Sequence, residues 1–417
     1  MKTIIFVNFR FGANYASELL GDLRLRMLGC RIVAVVDEFF VDNIPHDFKG
    51  QLDAYYYLKC GVVDHCTQPF NYSQLKALVS AEQSLYPDNE LRIVCADEMN
   101  LLNAGKLRRE FGIVGMIDND IFPFRDKIEM KRRLDLRGIR VPKYQRIDKS
   151  LIIPSQSHYN LLVGEFGGAF IVKPIDCFGS YRVYPIHSFE DYLGFCSELP
   201  ENPYELEVEE FIVGDAYHVD TIRQNGQTVF SAVYQYSCPN FDVTVGKNLS
   251  SIQLTWDDEL CQRLKDFSDC ALDVLGARDQ MAHMELFVRH GEIVFIEVGA
   301  RPPGGPIVSI AKLDFGFSYM DWQFTLDTGI DVRRPLVDTT PAFWIFFPKK
   351  QGVVRALNAP AIDSEIDLKW LVSVGDDIRD FSGIAPACIG VVQNADREKL
   401  IADFHALKSF EAFTLES

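Results

Sequence analysis

Two glutamates and an arginine lie close together in the stretch from Gly276 to Gly305. Glu285 stands in the apolar segment HMELF and Glu297 in the segment VFIEVGAR, with a glycine-containing turn at 290–292 between them. A short glycine turn between two apolar runs predicts a β-hairpin, and neighbouring antiparallel strands lie about 5 Å apart. Because side chains alternate along a strand, both carboxylates are expected on one face of the hairpin, and Arg301 follows four residues after Glu297.

These three side chains suit a phosphate that carries a metal ion. Carboxylate oxygens hold Mg²⁺, which keeps waters and phosphate oxygens as its other ligands. Arginine binds a phosphate or a carboxylate through two parallel hydrogen bonds. A hairpin with two solvated surface glutamates explains the same residues, so the hairpin alone leaves both interpretations open.

Composition limits the class of protein. The chain has 417 residues, a length typical of about two to four domains, and 47% of them are hydrophobic, enough for sizeable cores. The formal net charge is −17. Phosphate backbones select basic surfaces, so a nucleic acid is not expected as a partner.

The remaining sequence features predict a soluble cytoplasmic protein. The first residues, MKTIIFVNFR, form too short an apolar run for a signal peptide. No run of about 18 apolar residues occurs, so neither a membrane helix nor a membrane partner is expected. The ten cysteines include no CxxC pair, a usage typical of small buried hydrophobes in a reducing compartment.

Apolar strands alternate with helices in the first part of the chain. Segments 3–8, 31–36 and 91–96 are apolar runs typical of buried parallel strands, and helices are expected at 16–28 and 100–111. This alternation predicts a doubly wound α/β unit. Neither GxGxxG nor GxxxxGK[ST] occurs, so dinucleotide and P-loop sites are not expected.

Two lysines and a small loop precede the hairpin. Lys127 lies in the first turn of a helix that Gly138 ends, where the helix dipole disfavours a cation. Lys173 ends the apolar strand AFIVKP, and lysine is rarely buried without a partner. Gly179 and Ser180 follow in a loop whose N–H groups can cradle phosphate oxygens. Each signal alone also fits a surface lysine or an ordinary hairpin.

The middle of the chain predicts further strands. Residues 204–213, YELEVEEFIV, form a strand whose dense acidic edge is expected mostly to face solvent. The Asn225–Gly226 dipeptide predicts a tight hairpin turn. Residues 237–252 show no periodicity, and a loop of this length is a candidate substrate lid. From about residue 333, short strands and a helix at 395–407 predict a separate unit.

Taken in order, these segments resemble the ATP-grasp superfamily. The matching segments are Asp126-Lys127, VKP at 172–174, Gly179-Ser180, VEEFIVG at 208–214, HMELF, and FIEVGARPPGG. Within the superfamily, RPPGG and the C-terminal segment FFPKKQGVVRAL resemble the L-amino acid ligases, which make dipeptides and related amides. The resemblance covers roughly residues 95–400.

The resemblance implies an α/β protein with the ATP-grasp fold. Residues 1–112 would form the N-terminal doubly wound domain. Residues 113–332 would form the ATP-grasp domain, whose two α+β subdomains sandwich ATP and whose flexible lid subdomain spans about 150–213. Residues 333–417 would form a small C-terminal α+β unit that completes the ligase.

The resemblance also implies roles for individual residues. Lys127 and Lys173 match lysines that contact the ATP phosphates, and Gly179 and Ser180 match the loop that closes over them. The adenine-facing hinge matches Glu209, Glu210, Phe211 and Ile212. Glu285 and Glu297 match the Mg²⁺ ligands. The expected catalytic residues are Arg301, which steadies the acyl phosphate and the oxyanion, and Lys173. Near the substrate we expect Arg301, Gly304, Gly305 and His283, although His283 fits a packed histidine equally well.

The implied activity joins a carboxylate to an amine through an acyl phosphate, with release of ADP and phosphate. ATP and two Mg²⁺ ions are the implied cofactors, with Mn²⁺ as an alternative metal, and amino acids or a related acid and amine are the implied substrates. A biosynthetic amide ligase with a non-standard substrate and a non-catalytic nucleotide-binding protein are the alternatives. The oligomeric state stays open, although members of this family are often homodimers.

Two positions depart from the family pattern. Ala216 stands where the family often has a glutamate that bonds the ribose, and Asp215 is its neighbour. Gly299 replaces the asparagine of E-x-N-x-R, which removes an amide ligand of the second Mg²⁺. Glu297 could compensate by bridging both ions.

Overall fold

The computed structural model describes residues 1–8, 28–38, 49–63, 66–332, 339–379 and 385–416. The helix expected at 16–28 lies outside these residues except for its last position. Within the described ranges, no helix has both the length and the apolar character that a bilayer span requires.

The N-terminal unit is built on a parallel sheet, as its apolar runs predict. Its strands, in the order β3-β2-β1-β6, are β1 (Lys2–Val7), β2 (Arg31–Asp37), β3 (Ala54–Leu58) and β6 (Glu90–Val94). A two-stranded ribbon, β4 (Val62–Val63) and β5 (Cys66–Thr67), lies between β3 and β6 in the sequence. Strand β3 was not predicted, because as an edge strand it alternates half-buried and exposed residues instead of forming an apolar run.

Helices cover both faces of this sheet. One face packs on α1 (Tyr72–Leu85) and α2 (Leu101–Phe111), through residues such as Leu75 and Leu107. The other face packs against Met320 and Phe324 of a helix far along the chain. The N-terminal unit is therefore joined to the rest of the protein through a shared apolar core.

A short helix, α3 (Asp118–Ile121), leads into α4 (Lys127–Asp135), which precedes a small antiparallel sheet. The sheet has the order β7-β10-β8-β9, and its elements are β7 (Tyr144–Arg146), α5 (Gln156–Phe166), β8 (Phe170–Pro174), β9 (Tyr184–Ile186), α6 (Phe189–Glu198) and β10 (Leu206–Glu210). Strand β9 begins only at Tyr184, because Gly179, Ser180 and Arg182 before it have positive φ angles that keep the chain in turns.

The largest sheet includes three strands of the C-terminal segment, β16 (Ala342–Pro348), β18 (Glu365–Trp370) and β20 (Pro386–Gln393). Its eight strands have the order β15-β14-β11-β12-β13-β16-β20-β18. Its first part comprises β11 (Asp215–Gln224), β12 (Gln227–Tyr236), β13 (Leu249–Gln253), α7 (Glu259–Leu275), β14 (Gln280–Arg289), β15 (Glu292–Gly299), α8 (Ile307–Phe315) and α9 (Tyr319–Thr328). The tight turn between β11 and β12 is confirmed, since Asn225 and Gly226 have φ angles of 53° and 73°.

The loop predicted at 237–252 ends earlier than expected, and its candidate role as a substrate lid remains a prediction. Residues 240–245 form a short 3₁₀ helix, and strand β13 begins at Leu249 and pairs with both β12 and β16. The strand was missed because two serines, Ser250 and Ser251, are buried among its apolar residues and hide the pattern of a core strand.

The C-terminal segment extends the large sheet and adds a smaller one. Its elements are β16 (Ala342–Pro348), β17 (Gly352–Leu357), β18 (Glu365–Trp370), β19 (Asp377–Ile378), β20 (Pro386–Gln393), α10 (Arg397–Leu407) and β21 (Phe413–Leu415). Strands β16, β20 and β18 continue the eight-stranded sheet, while β19, β17 and β21 pair separately. A core that includes Phe343 and Phe404 holds the segment together.

Candidate active site

The β14–β15 hairpin brings the two predicted metal carboxylates together. Glu285 and Glu297 are direct cross-strand partners, so their side chains share one face. The turn is tight, with φ angles of 51° at His290 and 82° at Gly291. Both carboxylates line a cleft of about 740 Å³ that lies between this hairpin and the small antiparallel sheet.

Lys127 enters the same cleft from the first turn of α4. Its Nζ donates a hydrogen bond of 2.5 Å to the carbonyl oxygen of Cys177 and lies 3.2 Å from Oε2 of Glu297. The side chain is buried. The lysine therefore links the start of the helix, the loop after β8 and one of the two carboxylates.

Lys173, at the end of β8, is the second lysine in the cleft. Its Nζ lies 2.5 Å from Oε1 of Glu209 and 3.9 Å from Oε1 of Glu207. Burial opposes the charge of this lysine, but the two carboxylates outweigh burial and raise its pKa above the ordinary value. Lys173 is therefore charged in the folded protein, and its partners are anions, as its sequence position suggested.

The expectation that the acidic edge of residues 207–210 faces solvent is wrong, because these side chains are buried or partly buried. Glu207 is 0% exposed and Glu209 is 2% exposed. Glu210 is partly buried, and both its oxygens accept hydrogen bonds from Nη2 of Arg140, at 2.9 and 3.0 Å. These charges can be buried because cations lie opposite them.

Lys131 is one of those cations and was missed in the sequence. Its Nζ lies 2.6 Å from Oε1 of Glu207 and 2.5 Å from Oε2 of Glu209, and its side chain is fully buried. It follows Lys127 by four residues, and residues at this spacing share one face of a helix. That spacing was the available signal.

The loop after β8 borders the cleft through its side chains. Cys177, Phe178, Ser180 and Tyr181 line the cleft, whereas Gly179 does not. Gly179 and Ser180 have φ angles of 65° and 55°, a left-handed conformation that glycine adopts without steric cost. Their role at a phosphate remains a prediction.

The predicted hinge reaches the cleft at three of its four positions. Glu209, Glu210 and Ile212 line the cleft. Phe211 does not; its ring packs 4.7 Å from that of His187 and 6.0 Å from that of Phe241. The adenine contact through this backbone also remains a prediction.

Arg301 does not line the cleft but is held beside it by Glu98. Nε and Nη2 of Arg301 each lie 2.5 Å from Oε2 of Glu98, and Nη1 donates to the carbonyl oxygen of Pro302. The other oxygen of Glu98 lies 2.5 Å from Nη1 of Arg125. Burial disfavours the charged carboxylate, but Arg301 and Arg125 outweigh burial and lower the pKa of Glu98 to about 2. Gly304 and Gly305 lie in the loop after β15 and do not line the cleft.

His283 belongs to a buried cluster behind Glu285. Its Nδ1 lies 2.6 Å from Oδ1 of Asp220, and its Nε2 lies 3.6 Å from Oε1 of Glu285. Nδ1 of His218 lies 3.2 Å from the second oxygen of Asp220. Burial lowers the pKa of His283, but Asp220 outweighs burial and raises it to about 9.

Imidazole and carboxylate groups of this kind can also hold a metal, and the ligand atoms of these three residues lie within 4.8 Å of one another. Asp220 is hydrogen-bonded to His283 and lies within ion-pair distance of His218. His283 is therefore a packed, carboxylate-paired histidine next to Glu285. Asp220 and His218 were not singled out in the sequence, where they look like ordinary strand residues.

Asn240 places its side-chain amide beside the carboxylate pair. It lines the cleft, and its Nδ2 donates a 2.7 Å hydrogen bond to Oε1 of Glu285. Its Oδ1 is buried and has no hydrogen-bond partner among the described residues. Carboxylate and amide oxygens are the kinds of donor that Mg²⁺ prefers, so the residues present fit a divalent cation.

The structure shows what surrounds Ala216 and Gly299, the two positions that depart from the family pattern. Ala216 is buried in an apolar cluster, and Asp215, at the start of β11, is exposed. Gly299 pairs across the hairpin with His283. A Cβ at position 299 would lie 3.5 Å from Cγ of Arg301, an ordinary contact. Position 299 therefore has room for a side chain but provides no ligand.

Comparisons with known proteins find matches in both sequence and fold. Residues 166–310 match the ATP-grasp domain. The chain is 25% identical over 274 residues to an L-arginine-specific L-amino acid ligase of Bacillus subtilis, and the match covers 63% of this chain and 64% of the relative, just under two thirds of its length.

Solved structures show the same fold over the whole chain. An L-amino acid ligase from Bacillus licheniformis superposes with a TM-score of 0.68 at 15% identity, covering 100% of this chain and 99% of the other. A carboxyaminoimidazole ribonucleotide synthase from Aspergillus clavatus, complexed with ATP, gives 0.67 at 12% identity and covers 97% of each chain.

Proposed function

Because the chain has the ATP-grasp fold, we propose that it is an ATP-dependent ligase that joins a carboxylate to an amine. The product would be a dipeptide or a similar amide, formed through an acyl phosphate with release of ADP and phosphate. The observation that carries the proposal is the convergence of Lys127, Lys173, Glu285 and Glu297 on one cleft. These residues come from four separate segments, and each supplies a charge that ATP-dependent activation requires.

The chemical problem is that a carboxylate is a poor electrophile. Transfer of the γ-phosphoryl group of ATP to a carboxylate oxygen forms an acyl phosphate and releases ADP. The amine nitrogen then attacks the acyl carbon, the C–O bond to phosphate breaks, and the amine loses a proton. Catalysis of such steps depends mainly on positioning and on charge neutralisation.

The side chains of the cleft divide this work among them. Lys127 and Lys173 would bind phosphate oxygens, and the loop at 177–181 would cover them. Glu285, Glu297 and Asn240 would hold divalent metal. When bound, that metal would neutralise charge on the phosphates being transferred. The proposed role of Arg301, held by Glu98, is to stabilise the oxyanion that develops during attack by the amine.

Amino acids are the proposed substrates. The curated relative is named for L-arginine and L-amino acids, and a solved relative of the same fold also carries the L-amino acid ligase name. The structure of a ribonucleotide synthase is nearly as similar, so the fold by itself does not select the acid or the amine. The side chains around the cleft would make that selection.

A screen of amino-acid pairs tests the proposed function. Purified protein is incubated with ATP, Mg²⁺ and each pair, phosphate release is measured, and products are identified by mass spectrometry. We expect phosphate release that requires both amino acids and an amide product in equal amount. Nucleotide binding without phosphate release for any acid and amine would instead identify a non-catalytic nucleotide-binding protein.

A further inference from the structure

Four charged side chains form a closed cluster beneath the phosphate end of the cleft. Lys131 and Lys173 alternate with Glu207 and Glu209, and we call this set the buried quartet. Lys131 lies 2.6 Å from Glu207 and 2.5 Å from Glu209, while Lys173 lies 2.5 Å from Glu209 and 3.9 Å from Glu207. Two cations and two anions give the quartet a net charge of zero.

Different elements contribute the members of the quartet. Glu207 and Glu209 are two residues apart on β10 and therefore share a face, and Glu207 is the cross-strand partner of Lys173 on β8. Lys131 comes from α4, one turn after Lys127. The same helix thus sends Lys127 to the cleft and Lys131 to the carboxylates beneath it.

The members of the quartet differ in their contact with the cleft. Lys173 and Glu209 line the cleft, whereas Glu207 and Lys131 do not. Glu207 and Lys131 are also the two that are fully buried. Burying a carboxylate is costly unless a cation compensates it. Without Lys131, two carboxylates would share Lys173 as their one compensating cation within the quartet.

We propose that Lys131 is a positioning residue that neutralises Glu207 and Glu209 and thereby keeps the charge of Lys173 available to nucleotide phosphates. This inference rests on the proposed nucleotide site. Lys131 makes no direct contact with the nucleotide in this account. It sets the local charge that an incoming phosphate meets, so its effect depends on whether the ligand carries phosphate.

The test compares ADP with adenosine. Binding of each to the full-length protein, in the presence of Mg²⁺, is measured by titration calorimetry for the wild type and for Lys131→Met. We expect the dissociation constant for ADP to rise by about tenfold or more, the size of effect that one uncompensated charge has near a partly buried site. The dissociation constant for adenosine should change by less than about twofold, because adenosine carries no phosphate charge.

A charge-restoring variant separates electrostatics from folding. Lys131→Met combined with Glu207→Gln leaves one carboxylate and one lysine, so the quartet is again neutral, and ADP affinity should return to within about threefold of the wild type. This double variant also keeps the test usable if Lys131→Met alone fails to fold, since both variants are first compared by thermal denaturation. In that event, ADP affinity of the double variant near the wild-type value supports the inference.

Two results would overturn the inference. They are an unchanged ratio of the ADP and adenosine affinities in Lys131→Met, and no recovery of ADP affinity in the double variant. Failure of the proposed nucleotide site looks different, because the wild type itself would then show no preference for ADP over adenosine. Failure of the ligase activity alone would appear in the amino-acid screen as ADP binding without phosphate release.

Discussion

The guanidinium of Arg301 is held by the carboxylate of Glu98, a residue 203 positions earlier in the chain. Glu98 follows β6, the last strand of the N-terminal parallel sheet, and Arg301 follows β15, the edge strand of the eight-stranded sheet. The same carboxylate also binds Arg125. The N-terminal unit therefore fixes the orientation of Arg301, the residue that we propose stabilises the oxyanion.

Replacing Glu98 should lower turnover without weakening nucleotide binding. In Glu98→Gln the charged pair to Arg301 is lost, and we expect kcat for amide formation to fall by about 10- to 100-fold, the range typical of a misplaced electrostatic group. The dissociation constant for ADP should stay within about twofold of the wild type, because Glu98 is hydrogen-bonded to Arg301 and Arg125 and not to the two lysines assigned to the phosphates.

Steady-state phosphate release and ADP titration provide these two measurements. Glu110→Gln serves as the control. It also removes the charge of a glutamate in the N-terminal unit, but Glu110 is paired with Lys76, away from the cleft. Equal losses of turnover in the two variants would show that Glu98 has no specific role in positioning Arg301.

The same carboxylate predicts a pH dependence of stability. The pKa of Glu98 is lowered from 4.5 to about 2 in the folded protein, so its contribution is fully present above pH 4.5 and is lost as the pH falls toward 2. The full contribution is about 3 kcal/mol. Urea unfolding of the wild type and Glu98→Gln should show a stability difference that shrinks steadily between pH 5 and pH 3. A difference that does not change with pH would contradict this assignment.

Much of the fold could be predicted because it depends on local patterns. The apolar runs at 3–8, 31–36 and 91–96 predicted three parallel strands, and the Asn225–Gly226 dipeptide predicted its hairpin. Strand β13 could not be predicted in this way, because its buried serines interrupt the apolar run, and the partner of a buried serine can come from a distant part of the chain. Ser251, for example, accepts a hydrogen bond from Nε1 of Trp344.

The candidate site was predictable only in part. The sequence predicted Lys127, Lys173, Glu285 and Glu297, and the structure brings them to one cleft. Their partners were missed, because a buried ion pair such as Lys131 with Glu207 joins residues 76 positions apart. The sequence shows the charged residues but not which of them face each other. Charged residues of a buried ion pair therefore look the same in the sequence as charged residues on the surface.

The metal carboxylates give a direct binding prediction. Glu285→Gln should weaken Mn²⁺ binding in the presence of ADP by about tenfold or more and should reduce phosphate release by about 100-fold, because a charged oxygen ligand is lost. Mn²⁺ binding is measured by electron paramagnetic resonance. Glu292→Gln is the matched control, since Glu292 lies in the same hairpin with its side chain 55% exposed. Unchanged Mn²⁺ affinity in Glu285→Gln would exclude Glu285 as a ligand.

Asn240 should contribute to the same metal site. Asn240→Ala removes the amide beside Glu285, and we expect Mn²⁺ affinity in the presence of ADP to fall by about three- to tenfold, less than for loss of a carboxylate. Thr244→Ala tests for a general effect of the short helix, because the hydroxyl of Thr244 bonds within that helix, to the carbonyl oxygen of Phe241. If both variants weaken Mn²⁺ binding equally, Asn240 has no specific role at the metal.

The central claim is that this cleft activates a carboxylate as an acyl phosphate, and oxygen-isotope transfer measures that step. The acid substrate found in the amino-acid screen is labelled with ¹⁸O in its carboxylate and is incubated with ATP, Mg²⁺ and the amine. The account predicts one ¹⁸O atom in each released phosphate, because a carboxylate oxygen attacks the γ-phosphorus and leaves with phosphate when the amide forms. Unlabelled phosphate, or ¹⁸O in AMP instead, would contradict it.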